Sequence, residues 1–378
     1  MPARNIASSL LRLGRGAGTR LRTAPSLAWI LLAALPARLR GEARQPQLIL
    51  HAGGHKTGTT SIQAMILNAR GALAAQGVHV LRTGQGRNGA HHRLIAAFDG
   101  QPLGRLATKL LQAELRHAHP RKVLVSSELA KNVIVNGRGG RLLDGLRQAG
   151  VSRVQLLLYL RSPFGLANAA YSELTASLAL GGASFAEFLS GHDTGPAYRY
   201  DQFLDLARRD DMDLIVRPYS EAVRRSVAAD FAQAIGVDFG QAQEPRHNSS
   251  LGPVGLEALR RIAAECAEID AGVQSRLAIS LRAIAAALPE APFWAIDAAH
   301  EAMLETADRR TDAFARVLWG TGWREAIGEE RRPLNLFDPG DHGQQALLDS
   351  TLRRMRHTAF GSGGTPHEAR RSLITRST

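Results

Sequence analysis

Leu48 to Gln63 reads LILHAGGHKTGTTSIQ, and the rest of the chain is placed by reference to it. Leu48, Ile49 and Leu50 form a short apolar run, as expected of a parallel strand covered on both faces. Gly53, Gly54 and Gly58 permit a sharp turn and a close backbone approach to a ligand. A helix is predicted from Thr59, because Ile62, Met65, Ile66, Ala69 and Leu73 recur at helical spacing and Gly77 offers a stop. A helix that opens behind glycines presents free N–H groups and a positive dipole end, which suits a phosphate or a sulfate.

The glycine spacing resembles a Walker A loop, GxxxxGK[ST], with Gly53, Gly58 and Thr60 in place. Thr59 stands where that loop has its lysine, and the lysine here is Lys56, inside the turn. Lys56, Lys109, Lys122 and Lys131 are the only lysines; every other basic side chain among the 47 Lys and Arg is arginine. A lysine in such a loop points to a compact ammonium charge. The competing reading is a Gly-rich surface turn with a solvated lysine. The joint presence of strand, glycines, lysine and hydroxyls favours the anion loop.

The later strands supply further candidates. KVLVSS, Lys122 to Ser127, is the second core strand and runs into Glu128. In an open α/β sheet, ligands lie beyond the carboxyl ends of the strands, so Glu128 shares a rim with the glycine loop if the two strands are parallel. Its simpler role is a helix-start residue favoured by the dipole. VQLLLYL, Val154 to Leu160, is the third core strand and leads into Arg161, Ser162 and Pro163. An arginine at a strand end before a helix is a bidentate phosphate ligand; its alternative is a structural ion pair. DLIVRPY, Asp213 to Tyr219, is a fourth strand. Helices are expected over Leu103 to His119, Gly137 to Ala149, Tyr198 to Arg209, Glu221 to Ile235 and Gly255 to Leu288. Further helical segments are expected near Asp297 to Leu318 and Gly343 to Met355, and a short one at SFAEFL inside the Gly-rich stretch Gly181 to Gly195. His91 and His92 fall in a polar loop and read more simply as solvated residues than as substrate contacts.

The form HKTGTTSIQ resembles the 5′-phosphosulfate loop of sulfotransferases that use 3′-phosphoadenosine 5′-phosphosulfate. Arg161 matches the arginine that leads that family's 3′-phosphate segment. The family's serine falls on Ala169 here, and Ser172 lies one helical turn onward. The segments YRYD, VRPY and EPRHNSSLGP look like bacterial carbohydrate-type members. The resemblance covers roughly Gln47 to Gly255. It implies a three-layer α/β fold of P-loop type with a mostly parallel sheet. It also implies transfer of a sulfuryl group to a hydroxyl, on a carbohydrate or glycolipid, with no required metal. Carried over residue by residue, Gly54, Lys56, Thr57, Gly58, Thr59, Thr60 and Ser61 would cradle the 5′-phosphosulfate. Arg161, Ser172 and Arg246 would contact the rest of the nucleotide. Lys56 would stabilise the leaving phosphate, and Glu128 would be the base, with His55 as the alternative. A P-loop kinase or NTPase using ATP and magnesium is the competing class.

Composition narrows the partners. A net charge of +13 fits nucleic acid, an anionic membrane surface or anionic small molecules. Aromatics are only 5% and no basic stripe is interleaved with them, so nucleic acid is not expected. The single cysteine, Cys266, excludes an intrachain disulfide and a cysteine-rich zinc site, and reads as a small core residue. Residues 1–46 carry eight arginines against Glu42 and enclose the apolar run Leu27 to Ala37. That run is too short to span a bilayer, which needs ~20 residues. An interfacial anchor or a poorly ordered basic extension is expected there, ahead of a signal peptide. The expected organisation is this extension, a catalytic domain over 47–356 with a helical C-terminal part, and a disordered tail over 357–378. The expected location is cytoplasmic, with peripheral membrane contact through residues 1–46 as an addition.

Overall fold

The structure is a computed structural model that describes residues 45–54, 56–100, 104–191, 198–240, 250–267, 269–328, 330 and 332–361. Five strands build one sheet: β1 (Gln47–His51), β2 (Val78–Val80), β3 (Lys122–Ser126), β4 (Arg153–Leu160) and β5 (Met212–Pro218). Their order is β2-β3-β1-β4-β5 and every pairing is parallel. β1 is central, with Ile49 opposite Leu124 on one side and Gln155 on the other. Side chains alternate along a strand. Leu48 and Leu50 therefore enter one core, with Val123, Val125, Leu156 and Leu158, while Ile49 enters the other, with Ile62, Ile66 and Phe231. The unbroken apolar run is explained by these two faces, each covered by helices. All three side chains are fully buried, and burial of each contributes roughly 1.5–3 kcal/mol. The fold class is thus the expected three-layer α/β arrangement, with a sheet that is wholly parallel.

A third apolar cluster joins the helices Pro253–Glu265, Ala271–Ala286 and His342–Phe360 through Leu259, Ile262, Leu281, Leu352 and Met355. Cys266 sits in it fully buried, and burial pushes its thiol up to about 11, as befits an inert core residue. Three of the expected long helices are broken. The first runs Thr59–Asn68 and then Arg70–Ala75. The span Glu221 to Ile235 divides at Ser226, whose φ of −151° leaves the helical region. The span Gly255 to Leu288 divides where the Asp270 side chain accepts hydrogen bonds from the N–H groups of Gly272 and Val273 and starts a new helix. The predicted helix at Gly137 begins at Gly139, because Gly137 has a φ of 74°. Among the described residues no helix is long and apolar enough to cross a membrane. The run Leu27 to Ala37, and the tail beyond 361, lie outside the described residues.

His51 closes β1 with no exposure. Its Nδ1 is 2.9 Å from the Ser126 hydroxyl, and its ring packs on Tyr159 and Phe231. Burial pulls its pKa from 6.5 to about 3. The unfolded chain therefore binds a proton below pH 6.5 that the folded chain refuses, so stability falls as pH falls from 6.5 towards 3. The slope from this residue is about 1.4 kcal/mol per pH unit, or about 2 kcal/mol lost between pH 7 and pH 5. Urea unfolding of the wild type and of His51→Gln at those two pH values checks this. Equal pH slopes in the two proteins would remove His51 as the cause.

Candidate active site

The loop after β1 is shaped by three residues in the left-handed backbone region: Gly53 (φ 52°), Lys56 (φ 61°) and Gly58 (φ 74°). Lys56 is one of few described non-glycine residues there, a conformation that costs energy for a side chain bearing a Cβ. The loop holds itself by its hydroxyls. Thr57 Oγ1 accepts from the Gly54 N–H at 3.1 Å and donates to the Gly54 carbonyl at 2.8 Å, and Thr59 Oγ1 donates to the same carbonyl at 3.3 Å. Thr57 and Thr59 are buried, so their side chains brace the turn instead of offering hydroxyls outward. Their part in the expected cradle is restricted to backbone. Thr60 is exposed and Ser61 half-buried. The helix Thr59–Asn68 has no side-chain cap, since its N-cap is Gly58, and its first N–H groups keep their anion-binding character.

Glu128 arrives at this loop from the next strand. β3 is parallel to β1, and the helix Glu128–Val133 starts two residues past its end, after Ser127. A Cβ on Gly53 would lie 3.2 Å from Glu128 Cγ, so the carboxylate arm stands directly against the glycine turn. His92 meets it: Nε2 is 3.3 Å from Glu128 Oε2, and Nδ1 is 2.8 Å from the Ser127 hydroxyl. Nearly half of the His92 side chain is exposed. Its neighbour His91 is buried and structural. Its Nε2 lies 2.9 Å from the Leu81 carbonyl, and its Nδ1 accepts from the Ser126 N–H at 3.3 Å, which fits a proton on Nε2. Burial draws the His91 pKa down.

Arg161 leaves the end of β4 and ties the two motifs together. Its Nη1 donates to the Lys56 carbonyl at 3.0 Å, so the lysine's left-handed conformation is pinned by the arginine of the neighbouring strand. Its Nη2 is 3.2 Å from Glu330, which also receives Arg224 at 2.9 Å and Arg332 at 3.1 Å. Two guanidiniums approach the Tyr219 ring, that of Arg161 at 6.0 Å and that of Arg224 at 5.7 Å. Burial alone would raise the Glu330 carboxyl. The charges of Arg161 and Arg224 outweigh it and hold the group below the usual carboxylate range.

The lysine is also matched by a carboxylate. Lys56 Nζ pairs with Glu173, on the helix Pro163–Ala176, and Arg282 reaches the same carboxylate at 3.5 Å. Ser172 sits beside Glu173 and donates to the Asn168 carbonyl of its own helix at 3.0 Å. The other two candidates, His55 and Arg246, lie outside the described residues. Loop, Glu128 and Arg161 therefore come together at one rim of the sheet. Glu173, Arg224, Glu330 and Arg332 join them without having been picked out in the sequence, and no local pattern marks them, because each is brought in by tertiary packing alone.

No family model matches the chain, and no curated protein does. Among solved structures, the chain is similar to that of a sulfotransferase from Alicyclobacillus acidocaldarius, at 18% identity over 60% of this chain and 96% of that one, with a TM-score of 0.34.

Proposed function

We propose that the protein is a sulfotransferase that moves a sulfuryl group from 3′-phosphoadenosine 5′-phosphosulfate to a hydroxyl of a carbohydrate or glycolipid acceptor. The observation that carries this reading is the hydrogen bond from Arg161 to the Lys56 carbonyl. It makes a glycine anion loop and a strand-end guanidinium into one unit, as a ligand with anions at both its 5′ and 3′ ends requires. The residues fit such a donor. The Thr59–Asn68 helix start carries no side-chain cap, and Arg161 Nε is buried with no partner among the described residues.

The donor, when bound, supplies an activated sulfur–oxygen bond. The chain's residues do the rest. The N–H groups at the start of the Thr59–Asn68 helix hold the 5′ anion. Arg161 holds the 3′-phosphate. The Lys56 ammonium stabilises charge gathering on the bridging oxygen. Glu128 accepts the proton of the acceptor hydroxyl as its oxygen bonds to sulfur. Contact with His92 and the Gly53 turn fixes where that carboxylate stands.

Calorimetry tests the reading. Adenosine 3′,5′-bisphosphate is expected to bind without metal, and Arg161→Ala to weaken it by about 1.5–3 kcal/mol, the loss of a charge-assisted pair. Adenosine 5′-phosphate should bind the two proteins almost equally. Equal losses for both ligands would show that Arg161 does not read the 3′ end. Tight binding of ATP with magnesium, and none of the bisphosphate, would replace the sulfotransferase by a kinase or NTPase.

A further inference from the structure

The cluster around Glu330 gathers more donors than its one carboxylate accepts. Three arginines, Arg161, Arg224 and Arg332, all direct an Nη2 to one oxygen, Glu330 Oε1. Three guanidiniums thus share one buried carboxylate, and the exposed Glu221 is a further carboxylate near Arg224 and Arg332. Two further donors, Arg161 Nε and Arg224 Nε, are buried with no partner among the described residues. A carboxylate offers two oxygens in a plane and cannot serve all of these. A tetrahedral oxyanion can, because it presents three or more oxygens in different directions.

The backbone beneath is prepared in the same way. The second oxygen of Glu330 lies over Gly165, in the first turn of the 14-residue helix Pro163–Ala176. A Cβ at position 165 would fall 1.8 Å from Glu330 Oε2 and 2.9 Å from Arg161 Nε. Only glycine lets an anion settle so close to that helix start, where the dipole favours negative charge. The Glu330 side chain is 8% exposed, so the carboxylate fills the place and does not merely border it.

We propose that Glu330 is a tethered stand-in for the ligand's 3′-phosphate. Its carboxylate neutralises the arginines in the free protein and must leave the cluster when the phosphate enters. The inference rests on the reading of Arg161 as the 3′-phosphate ligand, and adds Arg224, Arg332 and Gly165 to that position. The apparent affinity of the free protein is then reduced by the fraction of molecules in which Glu330 is in place.

The test compares wild type, Glu330→Gln and Glu330→Asp by calorimetry with adenosine 3′,5′-bisphosphate, adenosine 5′-phosphate and sodium sulfate. Glu330→Gln is expected to bind the bisphosphate on the order of tenfold more tightly than wild type, as when a competing group blocks about nine molecules in ten. Adenosine 5′-phosphate should be unaffected. Glu330→Asp keeps the charge on a shorter arm and should fall between the two. Unchanged or weaker bisphosphate binding by both variants overturns the stand-in role. If neither nucleotide binds any of the proteins, the sulfotransferase reading falls, and sulfate decides about Glu330. Tighter sulfate binding by Glu330→Gln than by wild type upholds displacement by an oxyanion, and equal binding rejects it. Thermal unfolding serves a variant too unstable for calorimetry: sulfate should raise the midpoint of Glu330→Gln more than that of wild type, and an equal rise rejects the proposal.

Discussion

Replacing Lys56 by alanine is expected to lower turnover by ~10²–10³-fold, the cost of removing one preorganised donor from a developing negative charge, while donor binding changes far less. The asymmetry follows from when the charge appears. The bridging oxygen becomes strongly negative only as its bond to sulfur breaks, so the ammonium acts mainly in the transition state. Lys56→Arg should restore only part of the activity. The turn places this side chain on a left-handed backbone pinned by Arg161, and a planar guanidinium is not a compact point charge. Turnover should persist in excess EDTA. Single-turnover rates set beside equilibrium binding separate the two effects. A loss of binding as large as the loss of rate would make Lys56 a ground-state ligand only. Activity that vanishes with EDTA and returns with magnesium would reject the sulfuryl chemistry.

Glu128→Gln is the second large effect. It keeps the shape that lies against Gly53 and removes the basicity, so turnover should fall ~10²–10⁴-fold with the affinity for adenosine 3′,5′-bisphosphate nearly unchanged. His92→Ala should cost less, because it removes a contact that orients the carboxylate at 3.3 Å and leaves the base itself. Turnover of Glu128→Gln close to wild type would move proton acceptance to His55 or to His92. Rates of the two single variants and of the double variant, measured across pH, distinguish these cases. If both residues act in one proton transfer, their losses will not add.

How far the sequence could be read depended on the range of the forces involved. The strands were legible because a buried parallel strand must be apolar on both faces, and Leu48, Ile49 and Leu50 satisfy two cores at once. Gly53, Gly58 and Arg161 were legible for a local reason too: turn geometry and strand-end position restrict which residues can stand there. The broken helices show the limit. Apolar periodicity runs on past Ala69 and Ser226, and no proline or glycine at those positions announces a stop. At Asp270 a signal existed, an Asp ahead of Ala271 and Gly272 that caps a helix. The carboxylates Glu173 and Glu330 were illegible. Glu330 meets Arg161 across 169 positions and Arg224 across 106, and no short-range pattern encodes such a pairing.

Those separations also bear on how the chain is made. Synthesis is vectorial, so Arg161 and Arg224 leave the ribosome well before the carboxylate that neutralises them. At translation speeds of about 5–20 residues per second, the 106 positions between Arg224 and Glu330 correspond to roughly 5–20 s. During that interval β1, β3, β4 and β5 are all present, and the sheet can assemble with its cationic rim uncovered. Arg161 and Arg224 thus lack the Glu330 carboxylate for that interval, and the cluster closes only when residue 330 arrives.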